Sequence, residues 1–206
     1  MELNQTQSEV YLEDCMMGMK RYPDKYFDLA IVDPEFGIGI GNSPRLVTDK
    51  GLKAKSWDDK PIDPIYFVEL FRVSRNQIIW GANYYSMPPT KHCIVWDKKQ
   101  PEDLSFGMFD FAWTSFDGAN KIFRCSVRDE KDKIHPTQKP IKLYDWLLHN
   151  YAKPNDKILD THVGSGSSRI AAYKFDFDFT GFEIDKEYYE AQEKRFNDFK
   201  SQLCMF

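Results

Sequence analysis

Short apolar runs, most of them continuous rather than alternating, recur along this chain and are separated by helical patterns. Residues 10–12, 29–32, 77–80, 93–96, 157–159 and 177–184 form such runs. A further β-rich run, 109–116, sets Phe109, Phe111, Trp113 and Ser115 on one face. A strand reads as continuously apolar when both of its faces are covered, which is the situation of a parallel sheet. The intervening segments have helical signatures. Asp63-Pro64 pairs a capping residue with proline at the first helical position, and opens a helix toward Ser74 with Ile65, Val68 and Phe71 at helical spacing. Ile141, Tyr144, Leu147, Leu148 and Tyr151 mark an amphipathic helix. A helix starts over 166–173, and Tyr189, Phe196, Phe199 and Leu203 mark a closing one. The expected fold class is α/β, a mainly parallel sheet with helices on both faces. One domain is the simplest count for 206 residues without repeats or a convincing linker.

Aromatic residues make up 16% of the chain, which suits a sizeable core. No apolar run approaches the roughly 20 residues that span a bilayer. Residues 1–9 are polar and lack the apolar centre of a signal peptide. Cys15, Cys93, Cys125 and Cys204 are scattered without metal-ligand or disulfide spacing, so reduced thiols in a cytoplasmic protein are expected. The net charge of -4 argues against a generally adhesive nucleic-acid binder. Residues 91–142, however, hold ten Lys/Arg against eight Asp/Glu, a mildly positive stretch compatible with either a polyanion or an ordinary solvated face.

Three strand ends carry polar or glycine-bearing sequence, and ligands of open α/β sheets bind outside such ends. In ILDTHVGSGSSRIAA a strand ends at Asp160, and Gly164-Ser165-Gly166 opens a helix. Glycines let the backbone approach a ligand, and helix-start amides favour an anion. Arg169 stands where a third glycine would complete the dinucleotide pattern, so a plain strand-to-helix turn is an equal reading. In FTGFEID, about 20 residues on, Glu183 and Asp185 end a strand where an acid can accept bonds from both ribose hydroxyls. Together these two suggest a nucleoside-containing cofactor without saying which. In DPEF, the Asp33 carboxylate and Pro34 carbonyl can accept the two N–H bonds of a planar amine, and the Phe36 ring can stack on the heterocycle. An Asp-Pro turn is the plainer alternative.

At these residues the chain resembles the amino-methyltransferases that use S-adenosylmethionine to methylate exocyclic nitrogens of DNA bases. Their catalytic signature is D-P-P-Y or a near variant, matched here by Asp33-Pro34-Glu35-Phe36; their cofactor signature, D-x-F-x-G-S-G, is matched by DTHVGSG, Asp160 to Gly166. HPTQKP, His135 to Pro140, resembles the block that precedes the cofactor strand in the permuted, beta-group branch, in which the catalytic motif comes first. The likeness extends roughly from Val10 to Asn197. It implies a Rossmann-like methyltransferase fold, a seven-stranded, mostly parallel sheet, circularly permuted. It further implies that Asp33, Pro34 and Phe36 hold the target base, with help from Tyr84 or Tyr85 unless those two only pack in the core. Asp160, Gly164, Ser165 and Gly166 would build the cofactor loop, with the two glycines and Ser165 around the methionine end. Glu183 would hold the ribose, Asp14 the adenine, and His135, Thr137 and Lys139 the amino-acid end. No second ligand sits at a suitable spacing from His135, so no metal is expected.

Two positions depart from the pattern. His162 stands where Phe is usual, and Glu35 replaces the second proline. Glutamate loosens the loop and adds charge where a phosphodiester must enter; the expectation is that it turns to solvent or to a Lys or Arg, or else weakens activity. The expected reaction is direct methyl transfer to adenine N6, with cytosine N4 sharing the motif; an inactive DNA- or cofactor-binding module and an RNA methylase are the alternatives. The expected partner is double-stranded DNA. Recognition would fall to the short irregular stretches 42–60 and 98–133, either for a brief sequence or with a second subunit, as in a homodimer. Lys121, Arg124, Arg128, Lys131 and Lys133 are candidate phosphate contacts there.

Overall fold

The structure is a computed structural model and describes residues 6–43, 55–103, 107–130 and 133–203. In chain order the strands are β1 (Ser8–Leu12), β2 (Phe27–Val32), β3 (Ser74–Trp80), β4 (Cys93–Asp97), β5 (Phe109–Thr114), β6 (Lys121–Arg124), β7 (Lys157–Asp160) and β8 (Asp178–Glu183). The α-helices are α1 (Cys15–Met19), α2 (Ile65–Val73), α3 (Ile141–Tyr151), α4 (Ser167–Lys174) and α5 (Lys186–Leu203). All eight strands form one sheet in the order β1-β8-β7-β2-β3-β5-β4-β6. Only β5 runs antiparallel to its neighbours. The permuted arrangement is present: β2, early in the chain, pairs in parallel with late β7, Leu29 opposite Ile158 and Ala30 opposite Leu159. The catalytic-motif loop and the glycine loop therefore leave the same edge of the sheet from neighbouring strands.

Continuous apolar runs follow from two cores. Successive strand residues point to opposite faces, so Leu29 and Ile31 join Trp80, Ile94 and Ile158 on one side. Ala30 and Val32 join Ile79, Leu159 and Phe182 on the other. Helix α3 closes the first side through Leu143, Leu147 and Leu148, and α2 closes the second through Tyr66, Phe67, Leu70 and Val73. Leu147 is fully buried. Leu147→Ala is expected to lower the unfolding free energy by about 2–5 kcal/mol in urea titration; a loss below about 1 kcal/mol would show that this contact is not part of the core.

Three expectations are corrected. Among the described residues the sheet has eight strands rather than seven, because Lys121–Arg124 pairs in parallel with β4 at the edge. That strand is mostly exposed, so it lacks the apolar run that marks the others. Helix α2 buries a different face from the one its Ile65, Val68 and Phe71 spacing suggested: Ile65 and Val68 are 60% and 68% exposed. The segment is apolar on more than one side, and Tyr66 decides the orientation by bonding its hydroxyl to buried Thr161 at 2.6 Å. Asp63 does cap the helix, accepting from the Ile65 amide at 2.9 Å. Helix α1, capped by Asp14, was not expected at all; five residues are too few to show a period. Among the described residues no helix is long and apolar enough to cross a membrane.

Candidate active site

The ends of β2, β3, β7 and β8 open onto one cavity of about 1730 Å³. Asp33, Pro34 and Phe36 line it, as do Asp14, His135, Thr137, Lys139, Gly164, Ser165 and Glu183. Asp160 and Gly166 do not. Asp160 is buried beneath, its oxygens taken by the Ser168 hydroxyl at 2.5 Å and the His162 amide at 3.0 Å. Burial pushes its carboxyl up to about 6. Gly166 takes the left-handed turn into α4, with φ 73°, and a Cβ there would stand 3.2 Å from Gln192. These two shape the glycine loop from below.

The catalytic-motif loop is held from three directions. The Asp58 carboxylate is 1% exposed and accepts the amides of Phe36 (2.8 Å), Gly37 (2.9 Å) and Ile40 (2.9 Å). The Tyr85 hydroxyl donates to the carbonyls of Pro34 at 2.9 Å and Glu35 at 3.0 Å. The Phe36 ring lies against Gly81, where a Cβ would stand 2.0 Å from it, and stacks on Tyr84 at 4.9 Å with an interplanar angle of 14°. Tyr84 and Tyr85 thus belong to the site rather than to core packing alone.

Asp33 has two unlike oxygens. Oδ2 accepts from the Lys139 ammonium. Oδ1 is buried and has no hydrogen-bond partner among the described residues. Burial pushes the Asp33 carboxyl up, and the Lys139 charge offsets part of this. Lys139 itself is 5% exposed and lies 3.9 Å from Asp110, so its ammonium sits at the acid.

On the other side of the cavity, Glu183 accepts the Gly164 amide at 2.8 Å through Oε2 and the Asp185 amide at 2.9 Å through Oε1. Burial raises its carboxyl, against the pull of those two amides. The Ser165 carbonyl accepts from Arg195 at 2.8 Å, and Arg195 pairs with Glu130 at 2.8 Å. His135 packs between Trp57 and Tyr188, with ring centroids 5.3 and 4.3 Å away. Burial, with Lys139 and Lys55 nearby, pushes its pKa down to about 3, so the ring is neutral. Thr137 meets its Nδ1 through the hydroxyl at 3.2 Å.

Glu35 turns neither fully to solvent nor to a Lys or Arg; its side chain is 22% exposed at the cavity. Its Oε2 lies 3.3 Å from His162 Nε2, joining the two positions that depart from the expected pattern. Asp58, Trp57 and Tyr188 were missed by the sequence reading. Trp57 and Asp58 sit in a segment without periodicity or motif, inside the stretch 42–60 expected to serve recognition, and Tyr188 lies on the closing helix one position from the face that its periodicity marks. Residues 44–54 of that stretch lie outside the described residues, but 55–60 are built into the site: Lys55 bonds Asp185 at 2.6 Å and Glu187 at 3.1 Å. Of the candidate phosphate contacts, Arg128 and Lys133 line the cavity, Lys121 and Arg124 lie on β6 with Arg124 3.4 Å from Asp97, and Lys131 lies outside the described residues. No group of three or more His, Cys, Asp or Glu among the described residues is arranged to hold a metal ion.

Known proteins are similar to this chain in sequence and fold. The type II methyltransferase M2.MboI of Moraxella bovis is 25% identical over 153 residues, which cover 72% of this chain and half of that relative's length. The crystal structure of the M1.HpyAVI-SAM complex superposes with a TM-score of 0.59 at 20% identity, covering 94% of this chain and 100% of that one. PvuII DNA methyltransferase, cytosine-N4-specific, superposes with a TM-score of 0.62 at 13% identity, covering 96% and 93%. The N6/N4 family model described as DNA methylase matches residues 48–194, a span that holds the Asp58 clamp, the His135 block, the glycine loop and Glu183. The chain therefore belongs to the N6/N4 DNA methylase family.

Proposed function

We propose that the chain transfers the methyl group of S-adenosylmethionine to the exocyclic amine of a base in double-stranded DNA, with adenine N6 as the target. The observation that carries this reading is the unpartnered, buried Oδ1 of Asp33, a residue that lines the same cavity as the glycine loop of the neighbouring strand. Buried acceptors rarely go unused, and a planar amine that donates to it completes the set. The Pro34 carbonyl already accepts from Tyr85 but keeps a second lone pair for the other amine proton. Two such bonds draw the nitrogen toward a tetrahedral geometry and free its lone pair.

The residues opposite fit the cofactor. Gly164 and Ser165 offer a close backbone approach, His135 a neutral ring, Asp14 and Glu183 carboxylates, all lining the cavity. When bound, S-adenosylmethionine would supply a methyl group on a positively charged sulfur; transfer would form the N–C bond as the C–S bond breaks, leaving the neutral thioether, and the surplus amine proton would pass to solvent. Asp33 need not be a strong base, because a conjugated ring amine has almost no basicity; its work is orientation and charge. Reaching the pocket requires the base to leave the duplex, at a few kcal/mol. Stacking at Phe36 and Tyr84 offsets part of that, and a bicyclic purine gains more stacking area than cytosine. Arg128 and Lys133 at the cavity would meet the phosphates flanking the flipped nucleotide.

The test incubates the purified chain with methyl-labelled S-adenosylmethionine and duplex DNA, then digests to nucleosides. Label in N6-methyladenine is expected. Label in N4-methylcytosine moves the target to cytosine. Cofactor binding without label in either base, or label only when RNA is supplied, overturns the assignment.

A further inference from the structure

Glu35 and His162 come from different strand ends, one on the catalytic-motif loop after β2 and the other on the glycine loop after β7. Glu35 Oε2 and His162 Nε2 stand 3.3 Å apart with side chains 22% and 17% exposed. Each is anchored from behind. The Glu35 carbonyl takes the Tyr85 hydroxyl at 3.0 Å and the Ile62 amide at 3.2 Å. His162 Nδ1 meets the Thr161 hydroxyl at 2.9 Å, Thr161 meets Tyr66 at 2.6 Å, and the Tyr66 ring stands edge-on to the imidazole at 5.4 Å. The contact thus links two anchored loops, and both of its residues line the cavity.

We propose that Glu35 and His162 form one ion-pair latch that fixes the catalytic-motif loop against the glycine loop, making both positioning residues for methyl transfer. The inference rests on the function proposed above and adds a mechanism to it. A proline at position 35 would restrict the loop through its ring; here a charged contact across the gap does that work, and a phenylalanine at position 162 could not supply it. The substitutions are two halves of one device. Burial works against charge on Glu35, but His162 outweighs it and holds the carboxyl below its usual range. Burial also opposes a charged His162, yet Glu35 and Cys15 lift it well above the usual imidazole range. The other groups around the ring are Tyr66 from α2 and the carboxylates of Asp33, Asp160 and Glu183. Most of these favour the imidazolium as well, so the pairing does not depend on Glu35 stabilising it alone.

The experiment is a double-mutant cycle on the full chain with Glu35→Pro, His162→Phe and the two together, plus Glu35→Gln. Three readouts are taken: kcat at saturating S-adenosylmethionine, cofactor Kd, and the His162 imidazole charge by NMR. Misplaced reacting groups cost up to about 10²-fold in rate. Each single variant is expected to lose about 10-fold or more in kcat with Kd changed less than about 3-fold. The double variant is expected to recover most of that loss, and Glu35→Gln to lower the titration midpoint of His162. Additive losses in the cycle, or unchanged kcat in both single variants, overturn the latch. A chain that transfers no methyl group while His162 still titrates with Glu35 overturns the proposed function and reduces the pair to a structural link. The NMR readout separates these two failures, because it needs no turnover.

Discussion

Asp33→Ala is expected to lower methyl transfer by about 10³-fold or more, while the affinity for S-adenosylmethionine stays within about 3-fold. The reason is the asymmetry of this carboxylate. Oδ2 is committed to Lys139, and Oδ1 alone is free to take an amine proton. Alanine removes the acceptor and also leaves the Lys139 ammonium, whose side chain is 4% exposed, with only the more distant Asp110 at 3.9 Å. A buried cation that loses its nearer partner can destabilise the fold by itself. Asp33→Asn separates the two effects: it keeps the shape of the side chain, but its one amide oxygen serves either Lys139 or the amine, and it lacks the charge that about doubles such a bond. The expected order of turnover is therefore unaltered chain, then Asn, then Ala, at similar cofactor occupancy. Labelled-methyl assays alongside calorimetric cofactor titration measure this. Normal turnover in the alanine variant would falsify the role given to Asp33.

Much of this site was legible because its chemistry is local in sequence. A strand end places the next few residues on the rim of the sheet, so DPEF, the glycine loop and FEID each announce a site without any tertiary information. Their meeting in one cavity then follows from neighbouring strands and not from chain order, which is why the permutation left the ligand wall intact. What stayed hidden depends on contacts between distant segments. Lys139 reads as a cofactor residue from HPTQKP, yet its ammonium lies on Asp33 because α3 starts beside β2 in space. Glu35 and His162 read as two separate irregularities, and only the 3.3 Å contact makes them one. Strand β6 and the buried face of α2 escaped for a related reason: an edge strand needs no apolar run, and a helix that is apolar on several sides does not declare which one its neighbours will cover.

Asp58→Ala is expected to be the second most damaging change, although no motif marks the residue. Its carboxylate gathers three amides of the segment that carries Phe36, two on Oδ1 and one on Oδ2. Its own backbone carbonyl takes the Gly39 amide at 2.8 Å, so the turn around Gly39 is tied at both ends. Each buried amide left without an acceptor costs about 1–3 kcal/mol, and water reaching the half-buried loop recovers part of this. The expected loss of stability is about 2–4 kcal/mol. The rate is expected to fall by about 10²-fold, because Phe36 and the Asp33–Pro34 acceptors then no longer share one fixed geometry. Asp58→Asn separates clamp from charge. One oxygen can keep the bonds to Phe36 and Gly37, while the amide nitrogen faces the Ile40 N–H and repels it, so turnover falls between the other two. Urea titration gives the stability and single-turnover methyl transfer at saturating cofactor gives the rate. Full activity in a folded Asp58→Ala chain would mean that Tyr85 and the Gly81 contact suffice to hold the loop, and that the carboxylate serves folding alone.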